Sequence, residues 1–325
     1  MPPNTPREAT QPPPGPPRSC QSYRHEAFLW SNSADFAQGL VPFIQDGIDA
    51  GEAVMVALVP EHAAWVRAGL DTHQASQVQF VDMAKLGRNP AQIIPGWQEF
   101  LTHHAGYGRP ARGIGEPIWA GRRAEEVLEC QLHEALLNVA VDPELPFWLL
   151  CPYDVERLGD SAIAEAHRSH PVIVGKDSYY GSPSYEGWAH ADAMFHAELP
   201  PMPGLPVEFT FTAGQVEDVF SLLAREGVKT GLWSNQLENL ATAARRIADD
   251  WVAGGAIGGT VRVLDHPRAL TCEVASTTVV NDLLAGRRSP GADDDDPLWW
   301  ANRVCDLVQF RSTSTGTTIR LHTWK

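Results

Sequence analysis

Short apolar runs alternate with helical patterns along residues 25–171, and this alternation is the strongest constraint on the fold. The run AVMVALVP at 53–60 is almost continuously apolar, which is typical of parallel strands buried on both faces. Further strand-like runs are HEAFLWSN at 25–32, VQFVDM at 78–83 and FWLLCPYD at 147–154. Strands that alternate with helices at this pace predict an α/β domain with a parallel sheet covered by helices on both faces.

The segment from Arg112 to Asp154 concentrates ionisable and polar side chains in otherwise core-forming sequence. Such groups are costly to bury unless they are paired or hydrogen-bonded, so they mark a site or a polar network. Glu129 and His133 share one face of a predicted helix at 129–140, as do Glu134 and Asn138. Apolar residues fill the remaining turns, which predicts a helix with little exposed surface. We expect a ligand-binding pocket here, whose candidate residues in this segment are Glu116, Glu129, His133, Glu134, Asn138, Tyr153 and Asp154.

Carboxylates also fall at the predicted strand ends, which is where parallel α/β sheets bind their ligands. Asp82 and Asp154 end two strands and Glu116 ends a third, so we expect these three to share one rim. We expect a histidine nearby, and the candidates are His133, His167 and His170. Asp82 and His170 thus join the candidate ligand-binding set. The alternative is that the carboxylates cap helices and the histidines are hydrogen-bonded core residues.

Length, charge and cysteine content argue against several classes of protein. The 325 residues suffice for two domains, and a formal charge of −15 opposes binding to a nucleic-acid backbone. No apolar run approaches the roughly 20 residues that span a bilayer, and the first residues lack the apolar core of a signal peptide. Five cysteines without a CxxC pair indicate reduced thiols in a cytoplasmic protein. Cys151 lies in an apolar strand, where packing is its expected role.

Four segments are expected from the distribution of patterns. They are a disordered Pro-rich tail at 1–20, a first domain at 21–178, a linker at 179–205 and a second domain at 206–325. The first strand is followed by WSNSADF and not by a phosphate-binding P-loop, and neither a GxSxG nor an HExxH motif occurs. No catalytic residue is therefore assigned.

The second domain has a different pattern. A strand and an amphipathic helix at 207–228 precede a long helix that begins near Ser234 and stops at Gly254. Alternating runs at 259–267 and 269–277 predict antiparallel strands, and together these elements predict an α+β sandwich. The acidic run Asp293–Asp296 is either a hard-cation site or a solvated loop, and consecutive carboxylates favour the loop because they cannot all face one ion.

Residues from about 25 to 178, nearly the whole first domain, resemble the MEDS domain, the sensory domain named for methanogen/methylotroph DcmR-type regulators. The matching segments, in the family's order, are DGIDAGEAVMVALVP, FVDMAKLGRNPAQIIPGW, RGIGEPIWAG, ECQLHEALLN, LLCPYD and HRSHP. The resemblance implies a RecA-like α/β fold without a nucleotide P-loop. It also implies that the domain senses a small molecule or relays a signal.

Residues 207–324 resemble the GHKL-type (Bergerat-type) ATPase domain of anti-sigma factor serine kinases. The resemblance lies in the order of elements and in NDLLAGRRSP, PLWWANRVCDLV and RSTSTGTTIRL. It implies a two-layer α+β sandwich. Where the family carries a catalytic Glu and a magnesium-binding Asn, this chain has Ala244 and Ala248. The adenine-binding Asp and Gly correspond to Val-Ala-Ser-Thr-Thr at 274–278, and Asp293–Asp296 replace the glycine-rich phosphate turn.

These departures predict that ATP and Mg²⁺ binding are lost. Without the Asn carbonyl the site lacks a side-chain ligand for Mg²⁺, unless Asp249 or Asp250 takes its place. Carboxylates facing a triphosphate repel it by about 1 kcal/mol per close pair even in water. The second domain is thus expected to be a pseudokinase that keeps the fold as a protein-binding surface.

The resulting expectation is a cytoplasmic signal-transduction regulator without cofactors. Its first domain senses a small molecule, and its second binds a sigma factor or a STAS-type anti-anti-sigma protein, with a homodimer also compatible. One alternative is an active ATP-dependent serine kinase. Another is an enzyme or a metal-binding protein that uses Glu116, Glu129, His133 and Glu134.

Overall fold

The computed structural model of this chain describes residues 20–105, 109–291 and 295–325. Two β-sheets organise it, a largely parallel sheet A from the first part of the chain and an antiparallel sheet B from the last part. Residues 1–19 of the tail predicted at 1–20 lie outside the described residues, as do Asp293 and Asp294 of the acidic run. None of the described helices combines the length and the apolarity needed to cross a membrane.

Sheet A has seven strands in the order β3-β2-β4-β5-β1-β6-β7. Their bounds are β1 Arg24–Trp30, β2 Ala53–Leu58, β3 Val78–Asp82, β4 Ala111–Gly115, β5 Phe147–Asp154, β6 Val172–Gly175 and β7 Ser178–Gly181. Every neighbouring pair is parallel except β6 with β7, which form an antiparallel hairpin at one edge. The parallel sheet predicted from the alternating pattern is therefore confirmed.

Among the described residues, eight helices accompany sheet A. They are α1 Ser33–Asp49, α2 Pro60–Ala68, α3 Thr72–Ser76, α4 Met83–Leu86, α5 Ile93–Ala105, α6 Ala124–Ala140, α7 Asp160–Ser169 and α8 Trp188–Phe195, with a 3-10 turn at Pro90–Gln92. Helix α6 begins five residues before the predicted start at Glu129. Helix α1 is capped by Asn32 and not by a serine, because the Asn32 side chain accepts from the amides of Ala34 and Asp35.

Helices cover both faces of sheet A, which explains why all six residues of β2 are buried. On one face, Phe36 and Leu40 of α1 pack against alternate β2 residues such as Val56. On the other face, Trp97 of α5 and Leu136 of α6 belong to the core that contains the intervening β2 residues. The apolar pattern is continuous because each face of the strand has its own helical layer.

The segment 179–205, expected as a linker, carries strand β7 and helix α8. Strand β7 extends sheet A, and α8 packs against α6. Phe195 of α8 is buried in the core.

Sheet B has five antiparallel strands in the order β11-β12-β10-β9-β8. Its strands are β8 Val207–Thr212, β9 Gly258–His266, β10 Ala269–Ser276, β11 Leu307–Thr313 and β12 Gly316–Trp324. Helices α9 Val216–Gly227, α10 Ser234–Ala253 and α11 Pro297–Val304 accompany it, with a 3-10 turn at Ala213–Gln215. Helix α10 stops at Gly254 as predicted, and the predicted antiparallel strands at 259–267 and 269–277 form the β9–β10 hairpin. Strands β11 and β12 form a second hairpin. The chain is thus a mixed α/β protein with one parallel-dominated and one antiparallel sheet.

The two sheets share one apolar core. At their junction, the Phe195 ring of α8 meets the edge of Phe310 of β11, with centroids 5.2 Å apart. Nearby, the Asn89 amide donates to the backbone oxygen of Asn302 at 2.9 Å, and both residues are buried. The part of the chain that forms sheet A and the part that forms sheet B are therefore joined by a packed contact.

Candidate functional site

Helix α6 is the structural centre of the site because it lies between sheet A and the second domain. The prediction that it has little exposed surface is confirmed. Its buried residues are Glu126, Glu129, Cys130, Leu132, His133, Glu134, Ala135, Leu136 and Leu137. Three buried carboxylates and a buried histidine on one helix require partners on every side.

Four side chains converge beneath α6 on sheet A: His25 of β1, Glu134 of α6, Cys151 of β5 and His170 after α7. We call these the buried cluster. All four are at most 1% exposed. The Glu134 carboxylate lies 3.0 Å from His25 Nε2 and 3.3 Å from His170 Nε2, and Cys151 Sγ lies 3.5 Å from His25 Nε2. One ligand-type atom from each residue falls within 4.8 Å of the others.

The sheet register brings the strand members of the cluster together. Strands β1 and β5 are parallel neighbours, and Ala27 pairs with Cys151. Because His25 and Ala27 are two residues apart, their side chains share a face with Cys151. Glu134 then reaches this face from the helix above it.

The Nδ1 atoms of His25 and His170 form hydrogen bonds with residues outside the cluster. His170 Nδ1 lies 2.8 Å from the Ala166 carbonyl, and His25 Nδ1 lies 3.2 Å from Asn138 Oδ1. The Asn138 amide nitrogen donates to the Ser169 carbonyl at 2.8 Å, which fixes its oxygen toward His25. Both rings therefore donate from Nδ1 and present Nε2 to Glu134. The expected pairing of Glu134 and Asn138 on one helix face is realised in this arrangement.

Burial dominates the electrostatics of the cluster. It lowers the pKa of His25, and the neighbouring His170 lowers it further. Burial alone would raise the pKa of Glu134, but the adjacent imidazoles of His170 and His25 hold it below its ordinary value. Burial also raises the pKa of Cys151, with Glu134 adding to the effect. The cluster thus places a carboxylate beside the His25 imidazole and the Cys151 thiol, both of which burial favours in their neutral forms.

Tyr153 and His133 border this region. The Tyr153 ring meets His170 edge-on with centroids 5.6 Å apart, and burial raises the pKa of its phenol. His133 is 1% exposed, and burial lowers its pKa to about 3. Its Nδ1 has no hydrogen-bond partner among the described residues.

Glu129 faces away from the cluster and into the second domain. Its carboxylate accepts from Arg311 Nη2 at 2.6 Å and from Arg287 Nη2 at 3.1 Å. Gln309 Nε2 lies 3.4 Å from the same carboxylate. We call Glu129, Arg287 and Arg311 the Glu129 triad. Its members are at most 4% exposed, so this is a buried ion pair between the two parts of the chain.

The rim carboxylates lie apart from the cluster. The Glu116 carboxylate lies 2.6 Å from His62 Nδ1, and burial raises the pKa of Glu116. Asp154 accepts from the amides of Glu156 and Arg157. Asp82 caps α4. The histidine on this rim is His62, a residue that the strand-end argument missed.

The other rim histidines of the sequence prediction lie elsewhere. His170 is in the buried cluster, and the His167 ring is tilted against Tyr180 at 6.4 Å. The proposed grouping of Glu116, Glu129, His133 and Glu134 is wrong as a single constellation, because Glu116 pairs with His62 and Glu129 with two arginines. Residues on one segment were assigned to one pocket, although successive helix positions point in different directions.

Sequence reasoning also missed His25 and Cys151 as cluster members. His25 opens the first strand, and Cys151 was assigned to packing alone. A signal for them exists in retrospect, since both lie on central strands of a parallel sheet whose inward side chains must meet those of α6.

Open grooves occur at other places. One of about 720 Å³ lies beside α1 and the β6–β7 hairpin, where Arg112 and Trp148 line it. Another of about 880 Å³ runs over sheet B and is lined by Thr260, Thr318 and Arg311, among others. We call it the sheet B groove. None of the nine predicted ligand-binding residues lines either groove.

The geometry combines a part built on the largely parallel sheet A, which has a closed polar centre, with a part built on the antiparallel sheet B, and a buried ion pair joins the two. Residues 24–171 match the model of the MEDS family, described as the MEthanogen/methylotroph, DcmR Sensory domain. The match supports the MEDS part of the resemblance and a sensory, signalling role for the first domain. It spans all four residues of the buried cluster and ends before the second domain.

Comparisons with curated proteins and with one solved structure identify no further relative. No curated protein matches this chain. Among solved structures, an ATPase from the type III secretion system of pathogenic bacteria is 8% identical, with 70% of this chain and 74% of that chain covered, at a TM-score of 0.34. A TM-score this low does not identify a shared fold.

Proposed function

We propose that this chain is a signal-transduction regulator in which a sensory first domain controls a protein-binding second domain through helix α6. The observation that carries the proposal is the Glu129 triad. A carboxylate on the central helix of the MEDS-like part is held by two arginines of the second domain, at 2.6 and 3.1 Å. A shift of α6 therefore changes the contacts of Arg287 and Arg311 directly.

Arg311 carries this link onward to the surface of sheet B. It contacts Glu129 with one end of its guanidinium, and it also lines the sheet B groove. A partner segment in that groove thus lies against the same side chain that α6 holds. One residue, Arg311, connects α6 to the groove, so the two are coupled through a single side chain.

We further propose that the second domain is a pseudokinase with a Bergerat-type fold, beside a RecA-like first domain. Three helices packed with a five-stranded antiparallel sheet support this fold. Ala244 and Ala248, at the positions of the catalytic Glu and the magnesium-binding Asn, are 0% exposed. They offer neither a ligand atom nor open space to Mg²⁺.

The acidic residues near this place have other partners. Asp249 pairs with Arg245 at 2.6 Å on the same helix. Asp295 pairs with Arg246, and Asp296 caps α11 by accepting from the amides of Leu298 and Trp299. These contacts favour a solvated, cap-forming loop over a cation site.

The proposed partner is a sigma factor or a STAS-type anti-anti-sigma protein that docks in the sheet B groove. The test is biolayer interferometry of the full chain against purified proteins of both classes from the genome that encodes it. Thr318→Arg obstructs the groove and should weaken binding by about tenfold or more. Thr242→Arg, on α10 in the helical layer, is the matched control and should leave affinity unchanged.

Nucleotide is tested in the same preparation. Calorimetric titration with ATP and Mg²⁺, with an active serine kinase of this class as the positive control, should show no heat of binding. Micromolar ATP binding with phosphate transfer to a STAS protein would replace the pseudokinase by an active kinase. Absence of binding to both protein classes would refute the proposed partner.

A further inference from the structure

We propose that His25, Glu134, Cys151 and His170 form a binding site for one borderline divalent cation, with Zn²⁺ the best match. The inference concerns the chemistry of the buried cluster and does not depend on the proposed partner. Two imidazoles, one carboxylate and one thiol are the donor types that Zn²⁺ takes in proteins. Mg²⁺ and Ca²⁺ prefer oxygen ligands, which only Glu134 supplies.

The four donor atoms lie within 4.8 Å of one another, and three of their separations are close to those around a small tetrahedral ion. With Zn–N bonds of about 2.0 Å and a Zn–S bond of about 2.3 Å, neighbouring ligand atoms lie about 3.3 to 3.6 Å apart. The cluster has separations of 3.3 Å for His170 Nε2 to the Glu134 carboxylate and 3.5 Å for Cys151 Sγ to His25 Nε2. The His25 to Glu134 separation is 3.0 Å, slightly shorter than this range.

The hydrogen-bond arrangement leaves the inner atoms without adequate partners. Because each Nδ1 donates outward, a neutral imidazole points the lone pair of Nε2 at the Glu134 carboxylate. Two acceptors that face each other repel. Protonating both rings instead places two like charges in imidazoles whose centroids are 4.1 Å apart, without solvent. A cation between the donors satisfies all of them at once.

Two buried polar atoms of the cluster lack a hydrogen-bond partner among the described residues. They are His170 Nε2 and Glu134 Oε1. Glu134 is 0% exposed, so water does not solvate its carboxylate from the surface. A divalent cation with one thiolate and one carboxylate gives a neutral site, which removes the cost of an isolated buried charge.

The surroundings have the form that metal-binding histidines require. Asn138 Oδ1 and the Ala166 carbonyl receive the Nδ1 protons, which fixes the tautomer with Nε2 directed inward. All four residues are at most 1% exposed, and such closure is typical of zinc sites that stabilise a fold and not of those that bind a reacting water. The site would therefore hold β1, β5, α6 and the end of α7 together.

The test uses the full chain, purified without added chelator. Inductively coupled plasma mass spectrometry should find about one zinc per chain, as expected for a single four-ligand site. Refolding with Co²⁺ in place of zinc should give the visible bands of tetrahedral cobalt and a thiolate-to-cobalt charge-transfer band. Cys151→Ser should abolish the charge-transfer band. Cys130→Ser, a neighbouring buried thiol outside the cluster, should keep it.

A second measurement covers the case in which Cys151→Ser does not fold. The wild-type chain, stripped under denaturing conditions, should refold to a higher melting temperature with Zn²⁺ than without it, and Mg²⁺ should have no effect. Failure of the wild-type chain to take up zinc or cobalt, on purification and on refolding, would overturn the inference. A charge-transfer band that survives in Cys151→Ser, or a metal content that Cys151→Ser and His170→Gln leave unchanged, would do so as well.

Discussion

Replacement of Glu129 by Gln tests the link between the two parts of the chain most directly. The amide has the size of the carboxylate but removes the charge that Arg287 and Arg311 share at 3.1 and 2.6 Å. Hydrogen bonds to charged groups contribute about 1.5–3 kcal/mol each, and removal of one partner from a buried ion pair costs about 3–5 kcal/mol. Because all three residues are buried, we expect Glu129→Gln to lower the free energy of unfolding by about 3–5 kcal/mol.

Urea unfolding followed by tryptophan fluorescence measures this change. Glu125→Gln is the matched control, since the same helix carries the same substitution at a half-buried position with no ion pair among the described residues. It should change stability by less than about 0.5 kcal/mol. A variant with Met at all three triad positions should recover most of the loss, because no buried charge is left unpaired. A cost below about 1 kcal/mol for Glu129→Gln would refute the buried-triad reasoning.

Two further predictions concern other parts of the fold. Burial lowers the pKa of His322 to about 3. Between pH 6.5 and 3 the His322 imidazole is therefore protonated in the unfolded chain and neutral in the folded chain. The stability that neutral His322 contributes is complete above pH 6.5 and is lost as the pH falls, by about 1.4 kcal/mol at pH 5.5. Urea titrations at pH 8 and 5.5 should show this loss in the wild type beyond that in His322→Gln, and equal pH responses would contradict it. Gly113→Ala should lower the melting temperature, with a cost of about 1–3 kcal/mol, since its Cβ would lie 2.8 Å from the Trp97 ring. Gly159→Ala, with open space around its Cβ, is the control, and equal effects would contradict the packing argument.

The parts of the fold that follow from local pattern were predictable. The apolar run of β2 indicated a strand buried on both faces, and Gly254 indicated the end of α10. Periodicity also identified α6 as a buried helix. It did not identify the partners on each side of that helix, because those depend on tertiary packing.

The candidate site shows this limit most clearly. Glu129 meets Arg287 and Arg311 across 158 and 182 residues of sequence, and nothing in the local pattern of either segment encodes the contact. His25 and Glu134 are 109 residues apart and meet only because β1 lies beside β5 in the sheet. Strand order in a parallel sheet is set by how the crossovers pack, so it was not available from the sequence of elements alone.

Helix α6 presents the buried cluster and the Glu129 triad on different sides, and this geometry leads to a final prediction. Glu129 and Glu134 are five residues apart, which corresponds to about 7.5 Å along the axis and about 140° around it. Independent sites at this distance usually add within about 0.3–0.5 kcal/mol. If α6 relays a change between the two sites as one body, the double-mutant cycle of Cys151→Ser and Glu129→Gln should show a coupling energy above about 0.5 kcal/mol. Urea unfolding of the four chains measures it, with Cys130→Ser in place of Cys151→Ser as the control cycle. Simple additivity would mean that α6 holds two separate structural contacts and that the relay must run elsewhere.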